Sequence, residues 1–535
     1  MTTLDASLSI ALTGLRASAA GLRTVANNVA NADTAGYTRK VQVTLATTPD
    51  DAGMGVQLGS LQRNVDATLQ REVFARTASV TALETRETLL QGIETVHGTP
   101  ESGTSLAGLL ATLTDSFNAL AADPSSATTQ QEVVRTAEAL ATKLNDLSNA
   151  VTDARNQAQE QISNSVKATN SALAEIDRLT VQIRNAIASG QQAPDLEDQR
   201  DAALQKFTTE TGARYLIRQD GSILLTGPSG ITWPTTKAKG ASEGPLTVTS
   251  AEISATSTYG SKGGTVPGVT LTDPGNPLAP RDITGVLNGG RLGELIELRD
   301  STLPTMQAEL DEFAKTLARR FDQQGLRLFS DAQGNVPTES IGVVQANYVG
   351  FASTIRVFPA VEQDVSLVRD GTHSIPGGLP AAPATVATSN PQGSVFTPNP
   401  ANGPEGFDSL ARRIITYALG GDLKAGVAHD PQVATRGLGA AGNLSSEIPP
   451  HATLADFASS LVSVQTGKRA KATEAKSAET TSRDLLLNRL SDEAGVNVDQ
   501  EMSLMVQLQN AYQASARVLQ TNRELWDTLY QATQG

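Results

Sequence analysis

The chain of 535 residues contains no cysteine. Disulfide bonds and thiolate metal sites are therefore excluded. A lack of cysteine over this length suits a protein that ends outside the cell without an oxidative folding pathway. Histidine is also scarce, and the four residues have no metal-ligand spacing, so we expect them on the surface and without a catalytic role: His97, His373, His429 and His451.

Aromatic residues make up only 4% of the chain, as expected for long thin helices rather than one bulky globule. The net charge of −14 argues against nucleic acid, and no basic amphipathic segment indicates a membrane surface. No stretch approaches the roughly 18 apolar residues of a membrane span. Because no Lys or Arg precedes Arg16, the N-terminus also lacks the pattern of a secretory signal. These features predict a protein that is cytoplasmic or exported without a signal peptide.

The segment from Val496 to Gln534 lacks both proline and glycine, and its apolar residues recur every seven positions. This pattern predicts a long amphipathic helix with an apolar face about half its circumference wide. The N-terminal segment keeps the same heptad step, so we predict that the two ends pair as coiled-coil-like helices and polymerise. The rows are Met505, Tyr512, Leu519 and Trp526; Leu504, Ala511, Val518 and Leu525; and Leu8, Leu15, Leu22 and Val29.

A second segment without proline or glycine lies between Pro124 and Gly190 and predicts a continuous helix roughly 95 Å long. Its heptad rows are Ile162, Ile176 and Ile183, then Val166, Leu173 and Ile187. Further helical candidates are Ser60–Gln91, Thr305–Gln324 and Lys468–Ala494.

Two stretches, 211–284 and 330–404, are instead rich in proline, glycine, threonine and serine. Short runs that begin at Tyr215, Ser222 and Ile355 predict strands between turns, and the run 379–384 is better interpreted as disordered. The predicted fold class is mainly α with β-rich insertions. A long coiled-coil-like helical rod is formed by the N- and C-terminal segments, with one or two small β modules inserted.

The segment after the first helical pattern contains three asparagines, Asn27, Asn28 and Asn31, followed by Gly36 and Tyr37. Asparagine side chains compete with a helix by bonding backbone groups locally, and glycine readily adopts positive φ. An ordinary helix end needs fewer such residues. The sequence therefore predicts a shaped turn that leads into a strand starting at Lys40.

The segment from Ala26 to Tyr37 resembles the pattern Ala-Asn-Asn-x-Ala-Asn-x-x-Thr-x-Gly-Tyr of the flagellar axial proteins of rod and hook. Gly14–Ala17, Gly495–Met502 and Gln509–Val518 are similar to segments of the same family, and both ends match in the right order. The interior segments 193–201 and 289–300 resemble the axial proteins at the junction between hook and filament. Small departures occur at Thr13, Gln500 and Leu508, and none removes an apolar heptad position.

The resemblance implies a structural protein that self-assembles as a ring of subunits at this junction and has no substrate, metal or cofactor. Paired terminal helices would form an inner tube, and outer domains would face solvent. The implied partners are further copies of the chain, hook protein, the second junction protein and a flagellar export chaperone, which we expect on the C-terminal helix. The implied location is the extracellular flagellum, reached by type III export without a cleaved signal peptide. Since each terminal helix alone lacks a partner for its apolar face, we expect both ends to be disordered in the monomer.

The predicted organisation has a terminal inner-tube domain, a helical rod and two β-rich parts. The domain boundaries are 1–50 with 496–535 for the inner tube, 51–210, 285–329 and 405–495 for the rod, 211–284 for a β-rich segment, and 330–404 for a β-rich outer module. The predicted assembly interface consists of Leu8, Leu15, Leu22, Asn27, Asn28, Asn31, Gly36, Tyr37, Met505, Tyr512, Leu519 and Trp526.

Three alternatives stay open. One is another axial protein, such as hook protein or the second junction protein, and another is a cytoplasmic coiled-coil scaffold. The third is an enzyme carried by a β-rich insertion, for which the sequence displays no nucleophile or clustered acid pair. The acidic run from Asp195 to Asp201 is interpreted as helix initiation, with Asp195 as N-cap after Pro194. The segment Asp331–Gly334 is interpreted as a turn, because Gly342 stands where a calcium loop needs Glu.

Overall fold

A computed structural model describes residues 2–46, 55–99, 103–234, 244–260, 264–273, 276–337, 348–376, 394–429 and 437–534. Helices dominate these residues and the strands form small sheets, which confirms the predicted fold class of mainly α with β insertions. The run 379–384, predicted to be disordered, lies outside the described residues.

The helices are α1 (Thr2–Ala30), α2 (Ala67–His97), α3 (Leu106–Ala122), α4 (Ala127–Ala188), α5 (Pro194–Thr211), α6 (Gly290–Glu297), α7 (Leu303–Asp322), α8 (Pro359–Gln363), α9 (Leu367–Asp370), α10 (Ser409–Arg413), α11 (Leu454–Ala494) and α12 (Val498–Gln534). The strands are β1 (Lys40–Ala46), β2 (Val56–Arg63), β3 (Arg214–Ile217), β4 (Ile223–Thr226), β5 (Leu246–Val248), β6 (Val269–Asp273), β7 (Asn276–Asp282), β8 (Phe329–Ser330), β9 (Arg356–Val357), β10 (Ile375–Pro376), β11 (Ser394–Phe396), β12 (Asp422–Lys424) and β13 (Val427–Ala428).

The longest helix, α4, has 62 residues, as the segment without proline or glycine predicts. It begins at the N-cap Ser126, whose side chain accepts a hydrogen bond from the backbone of Thr129, and ends before Gly190, which has a φ of 70°. The members of both predicted heptad rows are buried, with one exception. Ile187, in the last turn, differs from the rest of its row because 39% of its surface is exposed.

The predicted boundaries of two other helices are wrong. Ser60, predicted to begin a helix, lies in β2, which pairs with β1, and α2 begins only after the N-cap Asp66. A lack of proline and glycine suits a strand as well as a helix, so composition could not separate the two. Helix α11 begins at Leu454, earlier than the predicted Lys468, because the side chain of Thr453 caps its first turn.

Helix α7 lies in the centre of the helical body, and nearly every residue of it is buried. It continues α6 through a π-helical turn over Leu298–Thr302, just before Pro304. Such a turn relieves the clash that a proline ring makes with the preceding helical carbonyl. Phe313 of α7 packs edge-to-face on Phe457 of α11, with ring centroids 5.3 Å apart. The core therefore joins sequence segments that lie far apart.

The two stretches predicted to be β-rich differ from each other. The first contains the β3–β4 hairpin, as predicted, and a three-stranded sheet of β5, β6 and β7. The described part of 330–404 has short helices and strands of two or three residues. Helix α7 holds this part by its backbone, since Asp311 accepts hydrogen bonds from the amides of Gly350 and Ala352.

Helices α2 and α11 pack antiparallel, and this brings the two ends of the chain together. Arg76 pairs with Glu479 at 3.1 Å, Glu94 pairs with Arg469, and the ring Nε2 of His97 lies 2.9 Å from Oε1 of Gln465. After α11 the chain turns through residues 495–497 into α12. Helix α12 therefore starts beside the segment that follows α1.

Candidate assembly interface

Helices α1 and α12 form an antiparallel pair whose contacts repeat every seven residues. Ser7 and Asn522 exchange side-chain hydrogen bonds of 3.1 and 2.8 Å, and the Nδ2 atom of Asn28 donates to Oε2 of Glu501 at 3.0 Å. Between these ends, a Cβ atom built on Gly14 lies 3.1 Å from Oγ of Ser515, and one built on Gly21 lies 3.0 Å from Cδ1 of Leu508. Each step of seven along α1 is matched by seven backwards along α12. We call this line of contacts the α1–α12 seam.

Small residues line the α1 side of the seam and allow close approach of the helices. Ala11, Ser18 and Val25 are buried, and Gly14 and Gly21 lie directly against α12. The predicted row is displaced from this centre, because Leu8, Leu15 and Leu22 are only half-buried. Within one subunit, the leucine row therefore lies at the border of the seam.

The apolar face of α12 is wider than α1 covers. Met505, Leu519 and Trp526 are half-buried, whereas Tyr512 keeps 38% of its surface exposed. The adjoining row is more open, with Val518 at 46% and Leu525 at 49%. Further exposed apolar residues lie on α12, on α1 and on the β1–β2 hairpin: Val498, Met502, Val506, Leu529, Tyr530, Ile10, Leu12, Val41, Leu45 and Leu58.

Asn28 is the centre of the turn that the asparagine-rich segment predicts. Its amide group donates to the carbonyl of Lys40 and to Glu501, and its Oδ1 atom accepts from the Lys40 amide and from the Tyr37 hydroxyl. All four bonds lie between 2.9 and 3.1 Å. An asparagine amide that is buried and fully bonded holds its neighbours in one arrangement. Asn28 therefore ties α1, the turn, β1 and α12 together.

The other predicted turn residues have local roles. Asn31 donates from its side chain to the backbone carbonyl and the side-chain oxygen of Asn27, both at 2.9 Å. Gly36 has a φ of 80°, the left-handed conformation that glycine tolerates best. Tyr37 supplies its hydroxyl to Asn28, and its ring lies under the Nζ atom of Lys40 at 3.6 Å from the centroid.

Glu501 is a charged residue at a buried heptad position of α12. Its side chain is 0% exposed and bonds both Asn28 and the Nε atom of Arg39, the latter at 2.7 Å. The backbone amide of Arg39 also donates to the carbonyl of Ala494 at 2.8 Å. Sequence reasoning missed Glu501, because its heptad row continues with Leu508, Ser515 and Asn522 and gives no apolar pattern in which an acid would stand out.

The acidic run on α5 joins the terminal helices to the helical body. Asp198 accepts a bond of 2.6 Å from the Thr38 hydroxyl and pairs with Lys40 at 3.1 Å and Arg63 at 2.9 Å. Arg63 also pairs with Asp201. We call these residues the charge cluster.

The prediction that Asp195 caps α5 is wrong. The N-cap is Ala193, and Asp195 lies in the first turn and bonds Lys40. The acids of α5 bind Lys40 and Arg63, which are far away in the sequence. The sequence alone does not show that these residues lie close together.

The charge cluster shifts the basicity of its cations. Burial alone would lower the pKa of Lys40, but its bonds to Asp195 and Asp198 outweigh burial and raise the pKa above the ordinary value. The pKa of Arg63 is raised in the same way, since burial is outweighed by Asp201 and its neighbours. Both cations therefore keep their charge, and the cluster is held by charge-assisted hydrogen bonds.

The expectation of surface histidines is wrong for three of the four. His97, His373 and His429 are buried, and their ring nitrogens lie beside Gln465, the Thr372 hydroxyl and the Tyr417 carbonyl. These contacts position helix ends and loops. Over the described parts of the chain, no helix is both long and apolar enough to cross a membrane.

Comparison with known proteins identifies similar chains along the whole length. A family model described as "Flagellar hook-associated protein FlgK helical domain" matches residues 90–336. Models described as "Flagella basal body rod protein" and "Flagellar basal body rod FlgEFG protein C-terminal" match residues 8–38 and 492–532. The two terminal matches cover most of α1 and of α12.

Several curated relatives share the full length. Flagellar hook-associated protein 1 of Salmonella typhimurium is 25% identical over 97% of this chain and 98% of its own, and that of Escherichia coli is 24% identical over the same shares. The solved structure of the flagellar hook junction protein FlgK from Burkholderia pseudomallei is 22% identical and matches 50% of this chain and 46% of its own, with a TM-score of 0.40.

Proposed function

Because the chain belongs to the family of flagellar hook-associated protein 1, we propose that its subunits assemble through their terminal helices to form the junction between hook and filament. The function is structural. The α1–α12 pair builds the inner wall of the junction, and the helical body and its insertions lie outside it. The twelve residues predicted as the assembly interface belong to the pair and its turn.

The observation that carries this proposal is the apolar surface that α12 leaves uncovered. Val518 and Leu525 are each nearly half exposed, and they lie beside the predicted row of Leu519 and Trp526. Exposed apolar surface of this extent along one helix marks an interaction site. A neighbouring copy offers the same apolar rows, including Ile10 and Leu12 of α1, so repeated packing of identical subunits covers this surface.

The partners of the assembled ring are hook protein on one side and the second junction protein on the other. Before assembly, the exposed face of α12 requires shielding, and we assign that role to a flagellar export chaperone that binds an amphipathic helix in a groove. The assembled protein is extracellular and is exported without a cleaved signal peptide. We propose no enzymatic activity, because the buried histidines and the charge cluster serve packing.

The substitution Leu519→Asp tests the proposal. A carboxylate in the half-buried row of α12 destabilises its packing with α1 and with neighbouring subunits, since a buried charge without a partner costs several kcal/mol. We expect the variant, produced in a strain that lacks its own junction protein, to leave hooks without filaments. Circular dichroism and the thermal midpoint of the purified chain should stay close to wild type, because the helical body is unaffected.

Val181→Asp is the matched control. Val181 lies on α4, and 49% of its surface is exposed, so the same change adds an acid to an apolar position outside the terminal helices. This control should restore filaments. Normal incorporation of the Leu519→Asp variant into flagella, or equal failure of both variants, would contradict the proposal.

A further inference from the structure

We propose that the polar pairs at the two ends of the α1–α12 seam, Ser7–Asn522 and Asn28–Glu501, select the register in which the terminal helices pair. This inference rests on the proposed role of those helices in assembly and adds which residues specify their alignment. The leucine rows supply apolar surface, and the polar pairs decide which turn of α12 faces which turn of α1.

The apolar rows alone do not define one register. Leu8, Leu15 and Leu22 are identical residues at seven-residue spacing, so sliding α12 by one heptad again places large apolar residues beside leucines. The predicted apolar row of α12, Met505, Tyr512, Leu519 and Trp526, repeats at the same spacing. A heptad repeat of this kind accepts several alignments, and a polar residue in a core position is the usual device that excludes the others.

A slip of one heptad in the first direction separates both polar pairs. Asn28 would then face Leu508, and Asn522 would face Gly14. Asn28 is 1% exposed and makes four hydrogen bonds in the observed register. In the slipped register Asn28 keeps its bonds to Lys40 and Tyr37, but one N–H of its buried amide loses Glu501, and Asn522 loses Ser7. A buried N–H without an acceptor makes this alignment unfavourable.

A slip in the opposite direction is worse for the carboxylate. Glu501 would face Gly21, which has no side chain to bond it, and its contacts with Asn28 and Arg39 would be lost. The side chain of Glu501 is completely buried in the observed register. A buried carboxylate without a cation or donor is strongly disfavoured. The amides of Asn28 and Asn522 therefore disfavour the first slip, and the carboxylate of Glu501 disfavours the second.

The chain connections allow a slip only if they lengthen. Residues 31–39 and 495–497 lie outside helix and strand, and the second connection is too short to take up a whole heptad, so the first turns of α12 would have to unwind as well. A slip of one heptad moves α12 by about 10 Å along α1, because each helical residue rises 1.5 Å. The exposed residues Val518 and Leu525 would then lie opposite a different part of the neighbouring subunit. Register selection therefore determines whether identical subunits can pack repeatedly.

Disulfide trapping can read the register directly, since the natural chain has no cysteine. The pair Gly14→Cys with Ser515→Cys reports the observed register, because a Cβ on Gly14 lies 3.1 Å from Oγ of Ser515. The pairs Gly14→Cys with Leu508→Cys, and Gly21→Cys with Ser515→Cys, report the two slips. Each reporter is oxidised with diamide, both as the soluble full-length chain and in isolated flagella, and crosslinks are mapped by peptide mass spectrometry.

The expected result has two parts. With the polar pairs intact, the yield of crosslink from the observed-register reporter should exceed the yield from either slipped reporter about tenfold or more. A tenfold ratio corresponds to a free-energy difference of roughly 1.4 kcal/mol. When Asn28→Leu, Glu501→Leu, Ser7→Ala and Asn522→Ala are combined, the slipped reporters gain crosslinks and this ratio falls toward one. Removing only the Ser7–Asn522 pair leaves the register unchanged, because Asn28–Glu501 still holds it.

The matched control removes apolar surface instead of polar partners. The double variant Leu15→Ala with Leu22→Ala should weaken assembly and keep crosslinks only in the observed register. The proposal is overturned if the combined polar variant still crosslinks only between positions 14 and 515, or if the chain with intact polar pairs crosslinks equally in a slipped register. The proposed function is tested separately: the unsubstituted chain must restore filaments in a strain without its own junction protein, whichever register the crosslinks report.

Discussion

Several ionisable side chains lie in the interior, and they hold loops and short turns of the insertions. Arg155 of α4 donates to the backbone carbonyls of Ser254 and Ser257 at 3.0 and 2.8 Å. Asp311 of α7 accepts from the amides of Gly350 and Ala352 at 2.8 and 2.9 Å. At the scale of the residue, these hydrogen bonds attach the insertions to the helical body.

Asp311→Asn should remove a component of the pH dependence of stability. Burial raises the pKa of Asp311 to about 7 from an ordinary value of 3.8. The folded protein then holds a proton that the unfolded chain has lost, so the contribution of Asp311 to stability is greatest below pH 4 and falls as pH rises through 7. Relative to the variant, wild type should lose up to about 4 kcal/mol between pH 4 and 8, measured by urea unfolding.

The comparison with the variant is necessary because His97 changes the stability with pH in the opposite direction. Burial lowers the pKa of His97 to about 4 from 6.5, so its contribution is present at neutral pH and is lost as pH falls from 6.5 toward 4. His97→Gln is therefore a control that should change the pH profile with the opposite sign. Parallel profiles for wild type and Asp311→Asn would contradict the assignment.

Arg63→Ala should be among the most destabilising single changes outside the hydrophobic core. The guanidinium contacts Asp198 and Asp201, and both carboxylates would stay buried without it. Loss of one member of a buried charge group typically costs about 3–5 kcal/mol. Arg63→Lys should restore only part of the loss, because an ammonium cannot reproduce the planar fork. Unfolding in guanidinium chloride measures both.

The control for this change is Arg135→Ala. Arg135 pairs with Glu132 on the surface of α4, and exposed pairs of this kind contribute roughly 0–1 kcal/mol. A cost for Arg63→Ala that does not exceed the cost for Arg135→Ala would show that the charge cluster does not hold β2 to α5.

At the scale of the element, the α1 side of the seam has small residues and the α12 side has larger ones. Gly14 and Gly21 admit α12 closely, and the polar pairs close the seam at each end. This arrangement buries little apolar surface within one subunit. The pair is therefore suited to alignment, and in the proposed assembly contacts between subunits would supply most of its stabilisation.

Gly21→Val should separate α1 from α12. The added Cβ would lie 3.0 Å from Cδ1 of Leu508, and its two methyl groups have no space in the seam. Overpacking of this kind costs about 1–3 kcal/mol. When Gly21→Val is combined with the Gly14→Cys and Ser515→Cys reporter, we expect the crosslink between positions 14 and 515 to decrease and filaments to be fewer.

Gly92→Ala provides the control at the same scale. Gly92 lies in α2, and no heavy atom lies within 4 Å of a Cβ built there. The substitution should therefore stabilise α2 by up to about 1 kcal/mol through helix propensity. Equal effects of the two substitutions on assembly would contradict the packing explanation for Gly21.

At the scale of the whole molecule, both ends of the chain return to one place. The antiparallel packing of α2 and α11 places α12 beside α1, and the charge cluster joins this pair to α5. The end of α1 and the start of α12 are therefore attached to the body, although the outer apolar face of the pair is uncovered. This arrangement is suited to a subunit that is completed by its neighbours.

Hydrogen exchange should divide the soluble monomer into two parts. We expect fast exchange over 1–40 and 497–535, because the seam buries little apolar surface, and slow exchange over 125–320, where α4 and α7 lie in the core. The same terminal amides should become protected in isolated flagella. Protected ends in the monomer would instead indicate a self-contained coiled coil and would favour a scaffold protein.

Patterns that repeat along the chain could be predicted from the sequence alone. The absence of proline and glycine together with the heptad spacing of apolar residues predicts α4 and α12, because a strand would show a period of two residues. The turn at Asn28 and Gly36 was also predictable, since asparagine and glycine have local conformational preferences. These features depend on neighbours in sequence.

Contacts between distant residues were decided only by the tertiary structure. Glu501 meets Asn28, Asp198 meets Lys40 and Arg63, and Asp311 holds the backbone near Gly350. No local pattern predicts these pairings, because each depends on how far the intervening helices carry the chain before it returns. Heptad periodicity predicted that both ends have apolar faces. The tertiary structure showed that small and polar residues form the seam, and that much of the apolar face of α12 stays exposed.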